Sequence, residues 1–385
     1  MSVARALGAA MLAASSGLAT MGCTGSIPVG AVLSQTGAAS VYGEKVKKGL
    51  DLALSQINAS GGYRGRRIEL IYKDDATNPE IGRRVVEELI HKHGAHVIIG
   101  PLVSSVALAV APLCEASHTV LLSPTASAPQ ISEAGEYVFR NYPSDVLEGT
   151  SMARFAKEMG LERMAVLAVD NEFGAGLKAV FALHYRSKLR QIVRAFDFAE
   201  GDVRAFGAMV QEVRALGPDG IYIVGYLSDV ADLLRGIRGS GISSVILGAS
   251  SVTEDIVRLA GGAAENLVFP QPSFDAASSD PAVRSFVEAY RSAYGDEPDT
   301  FAAHGYDALK LVHLALERGG GTRPDDVRRG LLGIGDYSGA SGPAAFDDKG
   351  DVVQYPRLLV IRQGRAVPYD RFIEQGGSIR SPEAR

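Results

Sequence analysis

Two short turns carry the residues best suited to holding a small ligand. "VIIGPLVSS" (97–105) and "VLLSPTAS" (120–127) each lead an aliphatic run into Gly or Ser, then Pro and hydroxyls. The hydroxyls of Ser104 and Ser127 and the free backbone N–H groups of the following turn or helix start can together hold an anion such as a carboxylate, with no Arg or Lys. Helix capping is the competing reading of the same residue types.

Other reactive side chains do not assemble into a recognisable centre. His91 and His93 of "HKHGAH" are two apart on a helix and point to different faces, while His96 begins a strand. Asp74 and Asp75 are adjacent at a strand end and point opposite ways. Cys114 lies in the apolar stretch "VAPLCEAS" with no activating neighbour and reads as a packing residue. There is no G-x-S-x-G elbow, H-E-x-x-H, C-x-x-C or phosphate-binding glycine loop. The expectation is a non-enzyme without metal or cofactor.

The elements that must position these turns follow from the pattern of the whole chain. At 385 residues it is long enough for two domains. Hydrophobic residues make up 46% and charged residues 22%, ordinary values for a globular protein. A formal net charge of −5 argues against a nucleic-acid partner. "MSVARALGAAMLAASSGLATMGC" has the layout of an export signal, with Cys23 placed as a lipoprotein acylation site although Thr20 stands where an aliphatic residue is usual. That predicts a periplasmic or cell-envelope location and membrane contact only through a lipid anchor.

Beyond it, strand and helix patterns alternate. "IPVGAVLS", "RRIELIYKDD", "AHVIIG" and "TVLLS" are strand candidates. Between the second and third lies a helix with Asn78 as N-cap, Pro79 in its first turn and Gly94 as stop. The pattern restarts after Tyr142 with "RMAVLAVD", "QIVRAFDF", "DGIYIVGY" and "SVILGAS". "VFPQPSFDAASSDP" reads as a crossing segment, two amphipathic helices follow, and "RLLVIRQGRAVPYD" reads as a strand-turn-strand ribbon. Aliphatic strands alternating with helices predict an α/β fold with mostly parallel sheets, whose ligands bind beyond the strands' carboxyl ends.

Several long blocks resemble the leucine/isoleucine/valine-binding family of type I solute-binding proteins of bacterial ABC importers. They are "VGAVLSQTGAASVYGEKVKKGLDLALSQINASGGYRGRRIELIYKDDATNPE", "VIIGPLVSSVALAVAPLCEASHTVLLSPTASAP", "VDNEFGAGLK", "DGIYIVGYLSDVADLLRGIRGSG" and "GPAAFDDKGDV". The resemblance implies two Rossmann-like lobes joined by three crossing strands, with 26–142 and 273–345 in one and 143–272 and 346–385 in the other, after a signal over 1–23. It implies hinge closure over a ligand, a permease partner in the inner membrane and a monomeric receptor. It carries the carboxylate grip to Ser104, Ser127 and the Thr125 backbone, and the aromatic walls to Tyr42, Phe173, Tyr226 and Phe301.

One position departs from the family pattern. Amino-acid-binding members carry an acid after the strand matching "SVILGAS", where this chain has Ser250. Glu254, Asp255, Asp229 and Glu172 are the nearby acids that can substitute. A ligand keeping its carboxylate but lacking an amine, an amide-type solute, and coupling to a membrane sensor instead of a permease are the alternatives. Ala76 and Val103 also stand where the family's early disulfide is expected.

Overall fold

The computed structural model describes residues 25–379, so the signal-like stretch and Cys23 lie outside the described residues. The first sheet is all parallel. Strands β1 (Ile27–Leu33), β2 (Ile68–Asp74), β3 (Val97–Ile99), β4 (Val120–Ser123) and β5 (Val138–Arg140) take the order β2-β1-β3-β4-β5. Helices α1 (Ser40–Ala59), α2 (Pro79–His91) and α3 (Ser104–Ala116) make the crossovers. Asn78 caps α2 as its sequence predicts: its side chain accepts from the N–H groups of Glu80 and Ile81 at 2.9 and 3.1 Å.

After Tyr142 the second sheet is built by the same alternation. It runs α4 (Asp145–Glu158), β6 (Arg163–Val169), α5 (Glu172–Tyr185), β7 (Gln191–Phe198), α6 (Val203–Leu216), β8 (Gly220–Val224), α7 (Leu227–Gly239), β9 (Val245–Gly248), α8 (Ile256–Ala260) and β10 (Val268–Gln271). The chain then returns to the first sheet's side with α9 (Pro281–Tyr294), α10 (Thr300–Gly319) and α11 (Pro324–Leu332), α10 packing along α1. A small ribbon follows, β11 (Tyr337–Gly339) with β12 (Gly342–Ala344). Then β13 (Arg357–Arg362), β14 (Arg365–Pro368) and α12 (Tyr369–Glu374) finish on the second sheet. There β13 and β14 add antiparallel, giving the order β14-β13-β10-β9-β8-β6-β7.

The chain therefore passes between the two bodies after β5, after β10 and after β12. The stretch read as a crossing segment divides: Val268–Gln271 is a buried strand, and the crossing begins beyond it. Strands β3, β4, β8 and β9 are buried at every residue. This is why they read as continuous aliphatic runs, since both faces of each parallel sheet are covered. Among the described residues no helix is long and apolar enough to cross a membrane.

Candidate functional site

The carboxyl ends of both parallel sheets face one gap. Tyr42, Ser104, Thr125, Ser127, Phe173, Tyr226, Ser250 and Phe301 all line it, joined by Leu102, Val103, Tyr142 and Ser251. No Lys, Arg, Asp or Glu is among these lining residues.

The first wall is a set of hydroxyls held by the backbone. Ser104, the first residue of α3, accepts from the N–H groups of Ser127 and Ala128 at 3.2 and 3.1 Å. With both acceptances used, the Ser104 hydroxyl proton is left to donate into the gap. The Thr125 hydroxyl is committed to the Leu102 carbonyl at 2.6 Å, so only its backbone can serve a ligand. Ser123 ties the turn from below, donating to the Pro101 carbonyl at 2.6 Å and accepting from Ala126 N–H at 3.0 Å. Arg140, wholly buried, donates to the carbonyls of Ser127 and Ala128 at 2.9 Å each and pairs with Asp351 at 2.7 Å. The guanidinium therefore stands behind the turn as a brace.

The second wall is aromatic in front and acidic behind. Phe173 and Tyr226 stack at 6.1 Å, Tyr226 lies 6.4 Å from Tyr42, Tyr42 lies 4.6 Å from Phe301, and Phe301 stacks on Tyr142 at 6.2 Å. Five rings thus run continuously across the gap. Tyr42 also bridges it: its phenol donates to the Ser251 carbonyl and accepts from Leu227 N–H, both at 2.9 Å. Behind Ser250 lies Glu148, buried in the first turn of α4, which accepts from Ser250 N–H at 3.0 Å and from the Tyr222 phenol at 3.4 Å. Burial pushes the Glu148 carboxyl up to about 7, against the opposing Ser250 hydrogen bonds. Asp145, one turn earlier, is raised by burial and then by the charge of Glu148. Gln271 fixes the turn from the other side, donating to the carbonyls of Ser250 and Val252 at 2.7 and 2.5 Å.

Residues 26–365 match the model of a family described as periplasmic binding protein. The chain belongs to that family. It is 26% identical to the leucine-specific-binding protein of Salmonella typhimurium, over 85% of this chain and 88% of that one. Among solved structures, the branched-chain amino acid transporter substrate-binding protein of Streptococcus pneumoniae, in complex with isoleucine, superposes with a TM-score of 0.82 at 25% identity, covering 89% of this chain and 97% of the other. An ABC transporter substrate-binding protein of Desulfitobacterium hafniense in complex with leucine gives 0.76 at 29% identity, covering 89% and 99%. These solved structures share the fold described above over nearly their whole length.

Within this periplasmic binding protein, none of the four acids named as substitutes at Ser250 lines the cavity. Glu254 is exposed and accepts from Ala366 N–H at 3.2 Å. Asp255 lies 4.0 Å from Arg258, and Glu172 is exposed. Asp229 is buried, accepts from Gly201 N–H at 3.0 Å and is raised to about 6 by burial. The acid adjoining Ser250 is Glu148, which sequence reasoning passed over together with Tyr142. The signal was present: Asp145, Glu148, Gly149, Met152, Ala153 and Ala156 share the buried side of α4, so two acids open an otherwise apolar stripe.

Proposed function

We propose that this protein is the extracytoplasmic receptor of an ABC importer, closing its lobes over a small carboxylate-bearing solute with an apolar body. An amino acid of the branched-chain type or a related acid meets that description. The observation carrying the reading is the Ser104 hydroxyl, whose two backbone acceptances leave its proton for the gap. A carboxylate there takes the Ser104 hydroxyl and the N–H groups at the start of α3, while the rings of Phe173, Tyr226 and Tyr42 cover the apolar body. The names of the relatives support transport of such a ligand.

The lobes are assigned to 26–142 with 273–345 and to 143–272 with 346–385, hinged at the three crossings. Export by the N-terminal signal, lipid attachment at Cys23, action as a monomer and delivery to an inner-membrane permease complete the reading. Calorimetric titration of ligand-stripped protein tests it, pairing leucine with 4-methylpentanoate and phenylalanine with 3-phenylpropionate. Saturable binding in either series is expected. No heat from any member ends the reading.

A further inference from the structure

One contact between the lobes joins residues outside the cavity lining. Helix α5 carries Phe173 into the gap, and Gly176, three residues on, lies on the same side of that helix and is buried. A Cβ at Gly176 would stand 2.8 Å from Pro129 Cδ, 3.4 Å from Gln130 Oε1 and 3.7 Å from Pro129 Cγ. Pro129 opens a short 3₁₀ helix, Pro129–Glu133, which follows the Ser127–Ala128 turn directly and lies between β4 and β5 of the first sheet. The atoms facing Gly176 therefore belong to the other lobe. Other helical glycines that a Cβ would crowd, Gly43, Gly49, Gly149 and Gly305, meet atoms of their own lobe.

Neither side of this contact has room to give way. Pro129 Cδ is bonded to its backbone nitrogen and cannot swing aside as the end of a flexible side chain would. The 3₁₀ helix is itself tied down: Ser132 donates to Asp351 at 2.6 Å and accepts from Arg140 at 2.7 Å, while Arg140 grips the Ser127 and Ala128 carbonyls. On the other side, Phe173 and Leu177 anchor α5 in the second lobe. Glycine disfavours a helix interior relative to alanine. Gly176 has no left-handed backbone to require it, and the close approach of Pro129 is what accounts for it.

We propose that Gly176 and Pro129 form the closure stop of the receptor: the bare backbone of α5 seats on the Pro129 ring, and this contact sets how near Phe173 comes to the Ser104–Ser127 turn. The proposal rests on the receptor reading above and deepens it by naming what limits closure of the same gap. A methyl group at position 176 acts as a wedge between the lobes. While the lobes stand apart it only favours α5, since alanine is the better helix former. Its cost is felt when they close over a ligand.

Calorimetry on wild type, Gly176→Ala, Pro129→Ala and the double variant decides it, with leucine, 4-methylpentanoate, phenylalanine and 3-phenylpropionate as the probes. For each probe that wild type binds, Gly176→Ala is expected to lose about tenfold or more in affinity. Its ligand-free melting temperature is expected to equal or exceed that of wild type. Removing the proline ring makes room for the methyl, so the double variant should bind within about threefold of Pro129→Ala alone. Affinity of Gly176→Ala within about threefold of wild type overturns the stop, as does a loss that Pro129→Ala leaves undiminished. A ligand-free melting temperature lowered by more than about 2 °C does so too, because Gly176 would then be packing within one lobe. Wild-type binding of none of the four probes ends the receptor reading and the stop with it.

Discussion

Tyr42–Gly43 opens α1 against the end of β1, and Phe173–Gly174 opens α5 against the end of β6. A Cβ on Gly43 would lie 2.1 Å from the Ser34 carbonyl oxygen, and one on Gly174 1.9 Å from that of Val169. In both lobes the missing side chain lets the helix start sit against the strand end, and the aromatic one residue earlier reaches the gap. The backbone device is shared, yet the chemistry beside it differs. The first lobe sets hydroxyls and amides braced by a paired guanidinium, the second sets a serine backed by two buried acids, and both contribute rings, Tyr42 and Phe301 from the one and Phe173 and Tyr226 from the other. A parallel sheet edge thus supplies position, and the turns grafted on it decide which end of a ligand each lobe can hold.

The brace is the part whose removal should cost most. Arg140→Ala leaves Asp351 without its partner and frees two buried carbonyls, so unfolding free energy should fall by about 3–5 kcal/mol, measured by urea titration. A loss under about 1 kcal/mol would mean that the first wall holds itself. Ser104→Ala comes next. It orphans the N–H groups of Ser127 and Ala128, a destabilisation of about 1–3 kcal/mol, and removes a carboxylate donor as well. Calorimetry should show Ser104→Ala weakening binding more than Ser127→Ala, because the Ser104 oxygen also holds the Ser127 and Ala128 N–H groups in place. The reverse ranking would move the carboxylate away from the start of α3.

Tyr42→Phe probes the contact between the walls. Its phenol joins the Ser251 carbonyl and Leu227 N–H across the gap, two bonds that an opened cleft lacks. At about 0.5–1.5 kcal/mol each, affinity should fall roughly tenfold, most of it in faster dissociation read by stopped flow. Thermal stability without ligand should stay unchanged. An equal drop in the ligand-free melting temperature would make Tyr42 a packing residue and not a latch.

How far the sequence alone reaches differs between the walls in the same way. The hydroxyl turns and the Asn78 cap are local features, legible from a few consecutive residues, whereas Tyr42 and Phe173 read as pocket walls only through the family resemblance. The Glu148–Ser250 contact joins residues 102 positions apart. Its acids lie where the pattern restarts after Tyr142, a place that reads as a boundary between lobes. Chain-distant pairs of this kind depend on how two sheets are set against each other, and no window of periodicity carries that. The same reason sent attention to Glu254 and Asp255, near Ser250 in sequence.

Those two residues give the smallest expected effect. Glu254 is exposed and occupied by Ala366 N–H, and Asp255 faces Arg258. Exposed charges are screened by water and contribute about 0–1 kcal/mol. Glu254→Gln and Asp255→Asn should therefore change amino-acid affinity less than about twofold by calorimetry, at low and high salt alike. A salt-sensitive loss in either variant would place the ammonium's partner on the turn after β9. Unchanged affinity in both would leave the turn after β9 without a charge that the bound ligand feels.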